Sequence, residues 1–186
     1  GYEDYRGSGR FSARITVGFV AAGAIAKKLV SKVGIRVYAH TVEIGRIRAS
    51  GVPSDELERA SRANALGCAD PGAAEKMAQA IANAKKQGDT LGGVIESVAT
   101  GLPVGLGEPV FDNLDGDLSK AFFAIPSVKA VEFGAGFQSA KMRGSEYNDP
   151  LEVRGQKVTS PTNNAGGIIG GLSNGQPVIC LSLIHI

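Results

Sequence analysis

Glycine constrains this chain more than any other residue. Twenty-six of 186 positions are glycine, about 14%, roughly twice the ordinary share of about 7%. They lack the strict period of a collagen helix and gather at Gly101–Gly107, Gly134–Gly136 and Gly166–Gly175. Apolar residues make up 43% of the chain, so it can also bury a core. Clustered glycine in a core-forming chain means backbone that turns tightly or comes close to something. That something is a ligand or another stretch of the same chain. At this level both readings stand.

The segments between the clusters alternate in period. Helical spacing of Val17, Val20, Ala21, Ala24 and Ile25 predicts a helix from Ser8/Gly9 to about Ser31, with these residues inward and Gly34 as the stop. Ile35, Val37 and Ala39 alternate with Arg36, Tyr38 and His40, as in a strand running to Ile44. Residues 52–69 read as a polar excursion with a short helix. Asp70-Pro71 is a helix start, a capping carboxylate followed by proline. The stripe Ala74, Met77, Ala78, Ile81 and Ala84 follows, ending at Lys85, Lys86 and Gly88. Leu91–Thr100 and Val128–Phe133 read as strands, Asp115–Ile125 as a helix before Pro126, residues 144–162 as polar loop, and Gly166–Cys180 as a strand or hairpin. The expected fold class is α+β, in packed layers.

Charge is balanced, 20 basic against 18 acidic residues, without the footprint of a nucleic-acid or membrane-surface binder. No apolar run approaches the roughly 18 residues of a membrane span, and no signal peptide is visible. Cys68 and Cys180 are far apart and read as reduced thiols in the cytoplasm.

The chemistry-bearing segment is Asp4-Tyr-Arg-Gly-Ser-Gly-Arg-Phe-Ser-Ala-Arg14. Arg6, Arg10 and Arg14 recur every four residues at a helix start, where free N–H groups and guanidinium forks suit phosphate or carboxylate. A solvated basic helix start explains the same residues. Gly7-Ser8-Gly9-Arg10 lacks the Gly-Lys-Ser/Thr ending of a nucleotide loop and the strand and acid of a dinucleotide fingerprint. His40 reads as a satisfied core or surface histidine, and His185 has no companion. Metal-ligand and nucleophile-elbow patterns are lacking, so neither a metal site nor acyl-enzyme chemistry is expected. Glu43, Glu96, Glu108 and Asp112 could each serve as a base, and spacing selects none of them. Asn163–Gln176 sets two Asn and two Gly-Gly pairs in an apolar run. That suits either a planar heterocycle or a bulged strand.

Several motifs are collinear: Asp4-Tyr-Arg-Gly7, Arg10-x-Ser-Ala-Arg-x-Thr16, Val20-Ala-Ala-Gly-Ala-Ile-Ala-Lys-Lys28, Gly88-Asp-Thr-x-Gly-Gly93, Gly101-x-Pro-x-Gly-Leu-Gly-Glu-Pro-Val-Phe-Asp112, Val131-Glu-Phe-Gly-x-Gly-Phe137, Arg143-Gly-Ser-Glu-x-Asn-Asp149 and Thr162–Pro177. Together they resemble the chorismate synthase family over Gly1 to about Ile179. The resemblance implies a layered β-α-β sandwich and a homotetramer acting on a small phosphorylated substrate. It also implies a shikimate-pathway lyase, converting 5-enolpyruvylshikimate 3-phosphate to chorismate and phosphate by anti-1,4-elimination with reduced FMN. NADPH is the candidate reductant of the flavin. Carried over by position, Arg10, Phe11, Ser12, Pro126, Ser127, Asn163 and Gly170 are FMN contacts, and Arg14 with Arg6 meets substrate anions.

The sequence also departs from the pattern. Phe11 stands where the family has Ser, Ile15 where it has Glu, Phe19 where it often has Arg, and Pro126 where it has an amide. The family's catalytic histidines, its Arg-His-Asp-Pro segment and its Lys-Pro flavin stretch have no match here. Residues 1–179 therefore read as the central part of one domain, incapable of full catalysis alone, and Cys180–Ile186 as a non-native read-through tail. The competing expectation is a non-catalytic anion- or nucleotide-binding domain that keeps the fold.

Overall fold

A computed structural model describes residues 4–155 and 157–185. Its frame is one antiparallel sheet of five strands: β1 (Arg36–Ile44), β2 (Ile47–Arg48), β3 (Gly92–Thr100), β4 (Val128–Phe133) and β9 (Val178–His185). Their order is β2-β1-β3-β9-β4. The helices are α1 (Thr16–Ser31), α2 (Ser54–Ser61), α3 (Pro71–Lys86), α4 (Leu114–Phe123) and the single turn α5 (Gly144–Tyr147). Two hairpins complete the fold, β5 (Glu152–Arg154) with β6 (Lys157–Thr159), and β7 (Ile168–Ile169) with β8 (Leu172–Ser173). Among the described residues, no helix is long and apolar enough to cross a membrane.

Helix α3 starts where the sequence places it. Asp70 Oδ1 accepts from the Ala73 N–H at 3.0 Å, and Pro71 needs no partner for a missing donor. Its inner side supplies Ala73, Ala74 and Met77, which with Cys68 form a core against Ile44, Ile47, Ala49 and Leu66. Ala78 and Ile81 of the expected stripe face outward instead. In β9, Val178, Cys180 and Ser182 point inward and are buried. Cys180–His185, set apart in the sequence as a tail, pair with β3 on one side and β4 on the other. The alternation of buried Cys180 and Ser182 with half-buried Leu181 and exposed Leu183 suits that place.

Helix α1 differs from expectation in two ways. It begins at Thr16, after two short 3-10 turns at Gly9–Phe11 and Ala13–Ile15. Ser8 at φ 65° and Gly9 at φ 51° cannot continue a right-handed helix, and Ser12 is extended. The apolar stripe expected inside is also exposed, Val17 by 72%, Val20 by 71% and Ile25 by 65%. Apolar residues surround α1, so spacing did not select one inner face.

The region read as polar loop at 144–162 holds α5 and the β5–β6 hairpin. Glycines let the remaining segments pack backbone against backbone. A Cβ on Gly134 would overlap the Asn164 carbonyl and the Gly166 N–H, and one on Gly107 would overlap the Gly171 carbonyl.

Candidate functional site

The basic segment folds on its own arginines. Arg14 donates from Nε to Ser12 Oγ at 2.9 Å and from Nη2 to the Gly7 carbonyl at 2.6 Å. Gly7 at φ 138° leaves room for that guanidinium, because a Cβ would stand against Arg14 Nη2. Arg6 is held by Asp4, through its N–H at 2.9 Å and its Nε at 3.3 Å. Arg10 makes no hydrogen bond or ion pair with the described residues, and it is exposed. The three arginines thus divide the work. Arg6 is paired with Asp4, Arg14 braces the turn, and Arg10 is the uncommitted positive charge. Phe11 exposes 70% of its surface beside it, a flat ring with no packing duty. A free guanidinium, a braced one with donors to spare and an exposed ring form a donor set that fits a phosphate-bearing aromatic group.

Residues 32–35 connect α1 to β1, and the two elements are in contact. Ile44 marks the sheet end shared by Gly93, Ile184 and Val128. Pro126 and Ser127, which precede β4, lie at this end. Ser127 adopts φ 68°.

Asn163 and Gly170 sit at the opposite end. Ala135, just past β4, donates its N–H to the Asn164 carbonyl at 2.8 Å. At about 3.3 Å per residue, the length of β4 separates Ser127 from this cluster by roughly 20 Å. The residues implied as one cofactor set thus lie in two groups. Asn163 is fully engaged in its own loop: Nδ2 donates to the Pro177 carbonyl and Oδ1 accepts from the Gly167 N–H, each at 2.8 Å. Gly170, at φ 60° on the tip of the β7–β8 hairpin, has open space where a Cβ would stand, a bare backbone cradle.

The glycine-rich loop at 101–107 docks on that hairpin. The Ser173 hydroxyl is buried, donates to the Pro103 carbonyl at 2.6 Å and accepts from the Leu106 N–H at 2.9 Å. A cleft of about 540 Å³ lies between α4 and β4, lined by Asp115, Glu132, Phe133 and Phe137. Its two carboxylates repel anions, which leaves the arginine turn as the better phosphate site.

His40 is buried, and its Nε2 lies 2.9 Å from Glu96 Oε1 across β1 and β3. It is a satisfied core histidine, as the sequence suggested. Asp149 is the residue sequence reading missed. It accepts hydrogen bonds from the start of the Asn163–Gly170 segment. The motif Arg143–Asp149 carried the signal, but the carboxylate was not singled out.

Comparison with known proteins extends over the whole chain. The family model described as chorismate synthase matches residues 1–185. Chorismate synthase of Methanosarcina acetivorans is 49% identical over 99% of this chain and 50% of its own length. That of Dehalococcoides mccartyi is 49% identical over 96% of this chain and 49% of its own length, and that of Pyrococcus abyssi is 49% identical over 96% and 49%. A crystal structure of chorismate synthase superposes with a TM-score of 0.88 at 30% identity, covering 94% of this chain and 56% of that one. The α+β class agrees with this likeness. The chain spans about half the length of the curated relatives it matches.

Proposed function

The chain belongs to the chorismate synthase family, and from that membership we propose that it serves the elimination of phosphate from 5-enolpyruvylshikimate 3-phosphate to give chorismate. The reaction removes a proton and a phosphate from opposite faces of a ring and leaves a new double bond. A site for it must hold several anions and stabilise the one that departs. The uncommitted Arg10 beside the braced Arg14 carries the reading, because it offers fixed positive charge to phosphate.

Reduced FMN is the proposed cofactor, which supplies electron density to the reacting ring when bound, with NADPH as the candidate source of its electrons. Arg10 takes the phosphate of cofactor or substrate, and Ser12 keeps Arg14 aimed. Phe11, Pro126 and Ser127 contribute flat and backbone contacts, and Gly170 with Asn163 contributes a second contact group. A homotetramer in the cytoplasm completes the proposal.

We also keep the expectation that residues 1–179 form the central part of one domain and that Cys180–Ile186 are not native to it. Comparison with the source genomic DNA tests this; an uninterrupted reading frame through this segment would refute it.

One observation favours a second reading, an anion-binding domain without proton transfer. His40 is locked to Glu96 inside the sheet and has no part in the arginine turn. Anaerobic phosphate release from 5-enolpyruvylshikimate 3-phosphate with reduced FMN, with and without a full-length relative, separates the two. Release by this chain or in its mixtures above the relative alone supports the lyase. Ligand binding without any added release supports the binding domain.

A further inference from the structure

We infer that Asp149 is a positioning residue for the flavin-contact segment Asn163–Gly170, an assignment that rests on the FMN reading above. Its carboxylate gathers three donors from one short stretch. Oδ1 accepts from Thr162 Oγ1 at 2.6 Å and from the Asn164 N–H at 2.8 Å, and Oδ2 accepts from the Ala165 N–H at 2.9 Å. Asn164 returns the grip, donating from Nδ2 to the Glu146 and Tyr147 carbonyls at 3.1 Å each. Residues 150–161 loop out between Asp149 and Thr162 and carry the β5–β6 hairpin, so the carboxylate closes the neck of that excursion.

The geometry downstream depends on this closure. Asn164 and Ala165 lead into Gly166 and Gly167, at φ 64° and 80°, which are wedged against Gly134 and Pro177. From there the chain enters the hairpin whose tip is Gly170. Burial raises the Asp149 pKa, but the Thr162 hydroxyl and the Ala165 and Asn164 N–H groups outweigh it and hold the carboxyl below its ordinary value. On α5, the element packed against it, Arg143, Glu146 and Tyr147 are the ionisable groups, and none enters that balance. On the other side of the neck, Glu152 is tied to Arg154. An ionised acceptor with three donors is a stiff clamp. Asparagine in its place has one oxygen and turns an NH₂ toward N–H groups.

The test is FMN titration by flavin fluorescence between about pH 3 and 8, with wild type, Asp149→Asn, Thr162→Val and the hairpin control Glu152→Gln. The clamp predicts that Asp149→Asn weakens FMN by about tenfold or more and shifts the bound-flavin absorption, whereas Glu152→Gln matches wild type. Thr162→Val removes one of the donors that lower the Asp149 pKa, so its FMN binding fades at a higher pH than that of wild type. Equal affinity of Asp149→Asn and wild type overturns the inference. So does a Thr162→Val deficit identical at every pH, which marks a packing role only. A wild type that binds no FMN overturns the flavin reading itself, and the positioning role with it.

Discussion

Gly134 and Gly170 have nearly the same backbone conformation, φ 56° and 60°, in different surroundings. Alanine at either position meets the left-handed penalty of about 1–2 kcal/mol. At Gly170 nothing lies within 4 Å of the new Cβ, so the cost ends there. At Gly134 the Cβ overlaps the Asn164 carbonyl and the Gly166 N–H, and the loop must retreat. Retreat breaks the Ala135–Asn164 hydrogen bond of 2.8 Å and strains the Gly134–Ile179 bond of 3.1 Å. Each loss costs about 1 kcal/mol, and more where a buried group is left unpaired. The sum is about 3–5 kcal/mol for Gly134→Ala against about 1–2 for Gly170→Ala. At roughly 2–4 °C per kcal/mol for a domain this long, melting followed by circular dichroism falls by about 6–20 °C in the first variant and about 2–8 °C in the second. Equal shifts, or an unaffected Gly134→Ala, would refute the view that Gly134 serves chain-to-chain packing.

Two further outcomes follow from single residues. Asp70 has its carboxyl lowered from 3.8 to about 2 by the Ser50 and Ala73 N–H groups. A lowered folded pKa stabilises above the ordinary value and is lost as pH falls toward the folded one. Melting curves of wild type and Asp70→Ala should therefore differ above pH 3.8 and converge toward pH 2; a constant gap argues against the cap. Phe11 is exposed and offers its ring as a flat contact, so Phe11→Ser should weaken FMN binding with little change in melting. A flavin titration showing equal or tighter binding would mean the ring takes no part in holding the flavin.

The sequence exposed those features whose cause is local. Asp70-Pro71 names a helix start because cap and proline act within one turn, and Val128–Phe133 is a strand with both ends as expected. The arginine spacing located the basic turn. Its division of labour was hidden, because Gly7 and Asp4 reach their arginines through φ angles that composition does not encode. The inward face of α1 was unreadable, because an all-round apolar helix has no single stripe. The glycine clusters showed that something comes close. Only three-dimensional pairing showed that much of it is other backbone, with Gly170 as an open exception. Asp149 escaped notice because its partners Thr162, Asn164 and Ala165 lie beyond a hairpin.

The central claim is that the arginine turn binds phosphate through Arg10, with Arg14 held in support. Anaerobic titration of reduced FMN into the wild-type chain and Arg10→Gln, at low and high salt, tests it most directly. The account predicts saturable binding by wild type that weakens with salt, and a loss of about tenfold or more in Arg10→Gln at low salt. Equal, salt-independent binding by the two proteins would contradict it.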